Sequence, residues 1–156
     1  MRWLGIDLGE VRIGLSLSDE SGAFAYPYRT IRNSESAVSE IRAIVVREKI
    51  GGIVLGYPKN MDGTLGPAAA KAQEFSRLLN SPNEQYKVVL WDERLTTVAA
   101  QRALHEAGKN TKQSRKVIDQ VAAQILLQGF LDSLQLSSGS GVSGAGFGDT
   151  LDPGHY

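Results

Sequence analysis

The sequence predicts a single α/β domain built on a five-stranded mixed sheet with helices on both faces. Three observations carry this. Strand-like segments follow one another from residue 3 to residue 30 with no helical period between them. From residue 33 onward, helical and strand patterns alternate. The later strands, Ile53-Val54-Leu55 above all, are wholly apolar, as strands covered on both faces by crossover helices are. The implied order is three antiparallel strands, then helix-strand-helix-strand, then terminal helices.

The first two strands lie in Arg2 to Ser18. Leu4, Ile6 and Leu8 alternate with small or polar positions, and Ile13, Leu15 and Leu17 do the same after Gly9-Glu10, a permissive hairpin connection. Asp7 is the anomaly. Asp is depleted in strands, and a buried carboxylate is costly unless a cation, hydrogen bonds or protonation compensate it. It either serves metal or phosphate chemistry or ends the strand and caps the turn.

Ser18 to Gly22 is a turn, and Phe24 to Thr30 is the third strand. Pro27 puts that strand at an edge, because proline cannot donate to a ladder. Asn33 or Ser34 caps a helix through Val38, Ile41, Ile44 and Val45, which Gly51-Gly52 ends. Pro67 opens the next helix, through Phe75, Leu78 and Leu79. Tyr86 to Trp91 is the fifth strand, running into Asp92-Glu93-Arg94. A short helix from Thr96 or Thr97 to Ala107 follows. The last helix starts at Thr111 or Ser114 and continues to about Leu134. The Gly- and Ser-rich stretch 137–156 cannot bury enough apolar surface to offset its ordering entropy and reads as a disordered tail. The folded domain is therefore expected over 1–136.

Length and composition narrow the function classes. The 156 residues suffice for one well-cored domain. With no cysteine there is no disulfide, thiolate metal site or thiol nucleophile. No apolar run reaches membrane-spanning length and no signal-peptide pattern opens the chain, so a cytoplasmic protein is expected. A net charge of +0 argues against a polyanion coat. The basic residues cluster instead: six lie between Arg94 and Lys116 against the single acid Glu106, and none follows Lys116. That segment is either a phosphate-contacting edge or a solvated surface.

Three acidic positions sit in or at the end of apolar elements: Asp7, the Asp92-Glu93 pair, and Asp119. On a helical wheel Asp119 shares its stripe with Ala123, Leu126 and Phe130, the face that meets a sheet. A helix-dipole contribution is the plain alternative for it. The first and last parallel strands of such a sheet are expected to lie close at their carboxyl ends, with the packed helix adding the third acid. An oxygen-only cluster suits magnesium or manganese, ions that activate water and stabilise a leaving oxygen in phosphodiester cleavage. The loop Gly56 to Thr64 adds Lys59, Asn60 and Thr64 as phosphate contacts, unless it is only a structural loop with an Asp-Gly turn.

Four segments together resemble the YqgF (also called RuvX) family: Gly5-Ile6-Asp7-Leu8-Gly9 with Arg12-Ile13-Gly14; Gly56-Tyr57-Pro58-Lys59-Asn60-Met61-Asp62-Gly63; Asp92-Glu93-Arg94-Leu95-Thr96-Thr97; and Lys116-Val117-Ile118-Asp119 with Ala122-Ala123 and Ile125-Leu126. They occur in the family's order within residues 1 to 134. The resemblance implies a ribonuclease-H-like fold and a Holliday-junction-resolvase-like nuclease concerned with maturing the small-subunit (16S) rRNA precursor. It also implies an acidic triad of Asp7, Asp119 and one of Asp92 and Glu93, Glu93 being preferred, as catalytic residues and as ligands of Mg2+ or Mn2+. Adjacent residues on an extended chain point oppositely, so only one of that pair enters the site. Lys59, Asn60, Arg94, Thr96, Arg115 and Lys116 are the expected nucleic-acid contacts. Where junction resolvases of this superfold are expected to carry a further acid, at the end of the fourth strand, this chain has Gly56-Tyr57-Pro58.

Three functions compete at this stage. The first is a metal-dependent nuclease acting on an RNA precursor or branched DNA. The second is a catalytically weak RNA-binding ribosome assembly factor whose acids are structural. The third, an actin-like kinase or chaperone, also uses an Asp-x-Gly turn but needs a second large domain. A homodimer suits branched substrates, and Ala25-Tyr26-Pro27-Tyr28 is either its contact or an ordinary strand edge.

Overall fold

A computed structural model describes residues 1–57, 66–80, 86–92 and 115–139. The elements are β1 (Trp3–Leu8), β2 (Arg12–Ser18), β3 (Ala25–Arg32), α1 (Ala37–Arg47), β4 (Gly52–Tyr57), α2 (Pro67–Leu79), β5 (Lys87–Asp92) and α3 (Arg115–Gly139). The expected helix between Thr96 and Ala107 lies outside the described residues.

The strands form one sheet in the order β3-β2-β1-β4-β5. β1, β2 and β3 pair antiparallel, and β1, β4 and β5 pair parallel. This is the mixed sheet expected from the sequence, with one correction. β4 separates β1 from β5, so the strand ends bearing Asp7 and Asp92 are two strand spacings apart, about 10 Å, rather than neighbours. Pattern alone orders strands along the chain, not across the sheet.

Strand alternation divides the core. Leu4, Ile6, Ile13, Leu15, Leu17, Ile53 and Leu55 face α1 and α2, whose Ile41, Ile44, Ala72, Phe75 and Leu79 cover them. On the other face Trp3, Val54, Val89 and Trp91 meet Leu126, Leu127, Phe130 and Leu131 of α3. Phe130 lies edge-on between Trp3 and Trp91, with ring centroids 4.8 and 5.4 Å away.

β3 is the edge strand that Pro27 required. Leu15 pairs with Arg29 and Ser16 with Pro27, so Tyr28 is the extra residue of a bulge. Its hydroxyl leaves the sheet to donate to Glu48 Oε2 at 3.1 Å and to accept from Arg47 at 2.6 Å.

Both ends of α1 differ from expectation. Neither Asn33 nor Ser34 caps it; Ser36 holds the N-cap position without a side-chain cap. Asn33 is used elsewhere, its amide donating to the Gly9 carbonyl at 2.7 Å and its N–H to Val11 at 2.9 Å, tying β3 to the hairpin turn. The helix stops at Arg47, ahead of Gly51-Gly52. Ile50 N–H reaches Val45 O at 2.9 Å and Lys49 N–H reaches Val46 O at 3.4 Å, a Schellman closure with Lys49 left-handed at φ 55°. At the other end of the chain, α3 runs on past the expected Leu134 to Gly139.

Candidate active site

Asp7 stands opposite Gly14 in the β1–β2 ladder, on the face that α3 covers. The turn-capping alternative fails. Asp7 lies within the ladder, and the turn closes through Gly9 N–H to Arg12 O at 3.0 Å and the Asn33 amide.

Two glycines let α3 approach. A Cβ at Gly5 would lie 2.8 Å from Leu127 Cβ and 3.0 Å from the Ala123 carbonyl oxygen. A Cβ at Gly14 would collide with the Asp119 backbone carbonyl and stand 2.9 Å from the Asp119 Cβ. Between them the Ser16 hydroxyl, fully buried, donates to the Ala123 carbonyl at 2.8 Å. These small residues set the helix directly on the hairpin, and Asp119 arrives beside Asp7 because nothing projects from Gly14.

The charges are compensated unequally. Asp119 Oδ2 accepts from Arg12 Nε at 3.0 Å, across a pair whose side chains are 25% and 29% exposed. Asp119 lies beyond the first turn of α3, where the helix dipole fades, so the guanidinium is its main support. Asp7 has no hydrogen-bond or ion-pair partner among the described residues. Burial first, and the Asp119 charge second, push its carboxyl up to about 6 from an ordinary 3.8. Among the described residues, two half-buried carboxylates with one guanidinium, bound to Asp119 alone, form a site with excess negative charge and oxygen ligands. A hard divalent cation fits that description.

Among the described residues no group of three metal-ligating side chains converges; the site there is the pair. Glu93, Lys59, Asn60, Arg94 and Thr96 lie outside the described residues. Asp92, which closes β5, pairs with Tyr57, while its neighbour Trp91 pairs with Gly56 and packs under α3. Asp92 is therefore on the face opposite Asp7. The backbone of Arg115 and Lys116 forms the first turn of α3, one turn ahead of Asp119. The sequence reading assigned no role to Arg12 or Gly14. Their signals, an Arg where a strand begins and a Gly inside a strand, become specific only when α3 is set against them.

A mixed sheet in this order, helices on both faces and acids on the first strand and last helix define a ribonuclease-H-like protein. Solved structures agree on the fold. T. thermophilus RuvC in complex with Holliday junction substrate superposes with a TM-score of 0.60 at 11% identity, covering 87% of this chain and 96% of that one. Fowlpox virus resolvase with substrate Holliday junction DNA gives 0.54 at 12% identity, covering 86% and 99%. Within that class the chain belongs to the RuvX family, described as Holliday junction resolvase, which matches residues 1–133. A relative in Desulfitobacterium hafniense (strain DSM 10664 / DCB-2), named "Putative pre-16S rRNA nuclease", is 43% identical over 141 residues, 89% of this chain and 97% of the relative. One of the same name in Clostridium botulinum (strain Hall) is 45% identical over 136 residues, 86% and 98%.

Proposed function

We propose that this protein is a divalent-metal-dependent endonuclease that hydrolyses phosphodiester bonds in the precursor of 16S rRNA. The observation that carries it is the seating of Asp119 beside Asp7, a carboxylate without a partner among the described residues, through a notch made by Gly14. Such a pair is costly to fold and has a use if a cation is to be held there. The substrate class follows the relatives named above, at 43% and 45% identity.

Asp7 and Asp119 hold Mg2+ or Mn2+ in this reading, and Glu93 is the third ligand. Of the adjacent acids Glu93 is preferred, since Asp92 is on the face opposite Asp7. The bound ion supplies a Lewis acid for the phosphate and lowers the pKa of water. Asp7 and Asp119 present oxygens in fixed positions, and Arg12 fixes the rotamer of Asp119. Lys59, Asn60, Arg94, Thr96, Arg115 and Lys116 hold the sugar–phosphate backbone. Residues 1–136 are the catalytic domain in this proposal, the Gly- and Ser-rich stretch 137–156 is a tail whose first three residues continue α3 and whose remainder is disordered, and the setting is cytoplasmic. No helix among the described residues is long and apolar enough to cross a membrane.

The test is cleavage of an end-labelled 16S precursor fragment and of a four-way DNA junction, with magnesium or manganese, by wild type and Asp7→Asn. We expect cleavage of the RNA by wild type and a loss of about 10²-fold or more in the variant, the scale of one lost charge-stabilising group. Preference for the junction would reassign the substrate to branched DNA, acting as a homodimer. Absence of cleavage on both substrates would overturn the nuclease reading in favour of an RNA-binding assembly factor.

A further inference from the structure

The β2–β3 ladder places Arg12 directly opposite Arg32. Asn33 N–H donates to Val11 O at 2.9 Å, the bond that brackets a non-hydrogen-bonded antiparallel pair. Such pairs bring side chains closest, with Cα atoms about 4.5 Å apart, and like charges opposed there are unfavourable. Arg12 resolves its half by pairing with Asp119 at 3.0 Å. Arg32 is exposed and has no ion-pair or hydrogen-bond partner among the described residues.

Its position is well defined. Ile31 on one side packs into the core beneath α1 and α2, and Asn33 on the other is bonded through both its amide and its N–H. The backbone carrying Arg32 is therefore held, and its side chain starts from the same sheet face as Arg12, Asp7 and Gly14. No strand lies beyond it among the described residues, because β3 is an edge. The acids of this neighbourhood are Asp119, already engaged by Arg12; Asp7, inside the site; and Glu10, exposed in the hairpin turn. The other arginine of the strand end, Arg29, pairs with Leu15 on the opposite face and stacks over Tyr28 with its guanidinium 5.1 Å from the ring centroid.

We infer that Arg32 is a backbone-phosphate contact for the nucleic-acid substrate on the β3 side of the acid pair. The inference rests on the nuclease reading. It gives the strand a direction across the molecule: past Asp7 and Asp119, over Arg12, and out across the β3 edge. A phosphate there relieves the Arg–Arg opposition that the free fold tolerates. The contact reads charge and not base, so it serves RNA and DNA alike.

The test is equilibrium binding, followed by fluorescence anisotropy in EDTA, so that the substrate stays uncut and no divalent cation competes for phosphates, between about 50 and 300 mM KCl, of a labelled RNA strand and a labelled four-way DNA junction. Wild type, Arg32→Gln, Arg32→Lys and Arg29→Gln are compared. Loss of one phosphate contact lowers the slope of log affinity against log salt by about 0.7 on single strands and 0.9 on duplex arms. We expect this for Arg32→Gln, with affinity several-fold weaker at the low-salt end, whereas Arg32→Lys keeps the wild-type slope and Arg29→Gln matches wild type. The thermal midpoint of Arg32→Gln should not fall, since the substitution removes a repulsion. An Arg32→Gln slope and affinity equal to wild type would overturn the inference, as would an equal loss in Arg29→Gln. These outcomes are read from binding alone, so they are separable from failure of the nuclease reading, which shows as absent cleavage by wild type.

Discussion

Asp7→Asn should make the protein more stable while abolishing its chemistry. The carboxyl titrates at about 6 in the fold against an ordinary 3.8, chiefly through burial. The native state therefore binds its proton more tightly than the unfolded chain, and stability falls as pH rises between about 4 and 6. Above pH 6 the penalty is complete. At 1.36 kcal/mol for each pKa unit, the interval corresponds to about 3 kcal/mol. Asparagine keeps the shape and never ionises, so it removes that penalty at pH 7 and changes little near pH 4.

The assay is urea unfolding of both proteins in EDTA at pH 4, 5, 6 and 7, the difference between them cancelling the other titrating groups. We expect the variant to gain 2–3 kcal/mol, to order of magnitude, at pH 7 and almost nothing at pH 4. Magnesium should then reverse the order. A ligand at about 1,000 times its dissociation constant adds about 4.1 kcal/mol to the protein that binds it, more than the variant's gain, and the variant lacks the charge to bind it. A variant less stable than wild type at pH 7 in EDTA would refute the reasoning, because Asp7 would then be a structural group with a partner.

Three further outcomes follow from single contacts. Gly14→Ala forces α3 away from the hairpin by roughly 1 Å, which should destabilise by about 3 kcal/mol in urea unfolding and reduce cleavage about 10²-fold. Lys49→Gly relieves a left-handed residue at the end of α1 and should stabilise by about 1 kcal/mol, raising the thermal midpoint by about 2–4 °C. Gln128→Leu strips the Ala25 N–H of its 2.8 Å acceptor and the Ala23 carbonyl of its 3.0 Å donor, and should cost about 2 kcal/mol with faster amide exchange at the start of β3.

The parts of this molecule that were legible in the sequence are those encoded by short-range pattern. Alternation in Leu4 to Leu17 gave the hairpin, Pro27 gave the edge, and Pro67 gave the start of α2. Asp7 and Asp119 stood out because each interrupts an apolar period. What was not legible depends on partners distant in sequence. Asn33 has the same chemistry as a helix cap and as a tie to Gly9, and only the closure of β3 onto the hairpin selects the second. The interposition of β4 between β1 and β5 leaves no trace in either strand's composition. Arg12 and Gly14 acquire their roles from Asp119, which lies 107 residues beyond Arg12 in the chain.

The unequally compensated pair also bears on why the last helix is so apolar on its inner face. Left to themselves, Asp7 and Asp119 would separate, and only an attachment stronger than their penalty keeps them together. Leu126, Leu127, Phe130 and Leu131 are each at most 4% exposed. Burying side chains of this size contributes about 1.5–3 kcal/mol apiece, a gross 6–12 kcal/mol before the entropy of ordering them. Against a penalty of about 3 kcal/mol at Asp7, that attachment dominates. The grip lies at the Trp3 and Phe130 end of the helix and the strain at the Gly14 end. A loss of packing at Phe130 should therefore be felt first as separation of the acids: Phe130→Ala should weaken magnesium stabilisation at urea concentrations where the fold is still intact by far-ultraviolet circular dichroism. Equal magnesium stabilisation in Phe130→Ala and wild type would mean that the hairpin notch holds the acids without help from the rest of the helix.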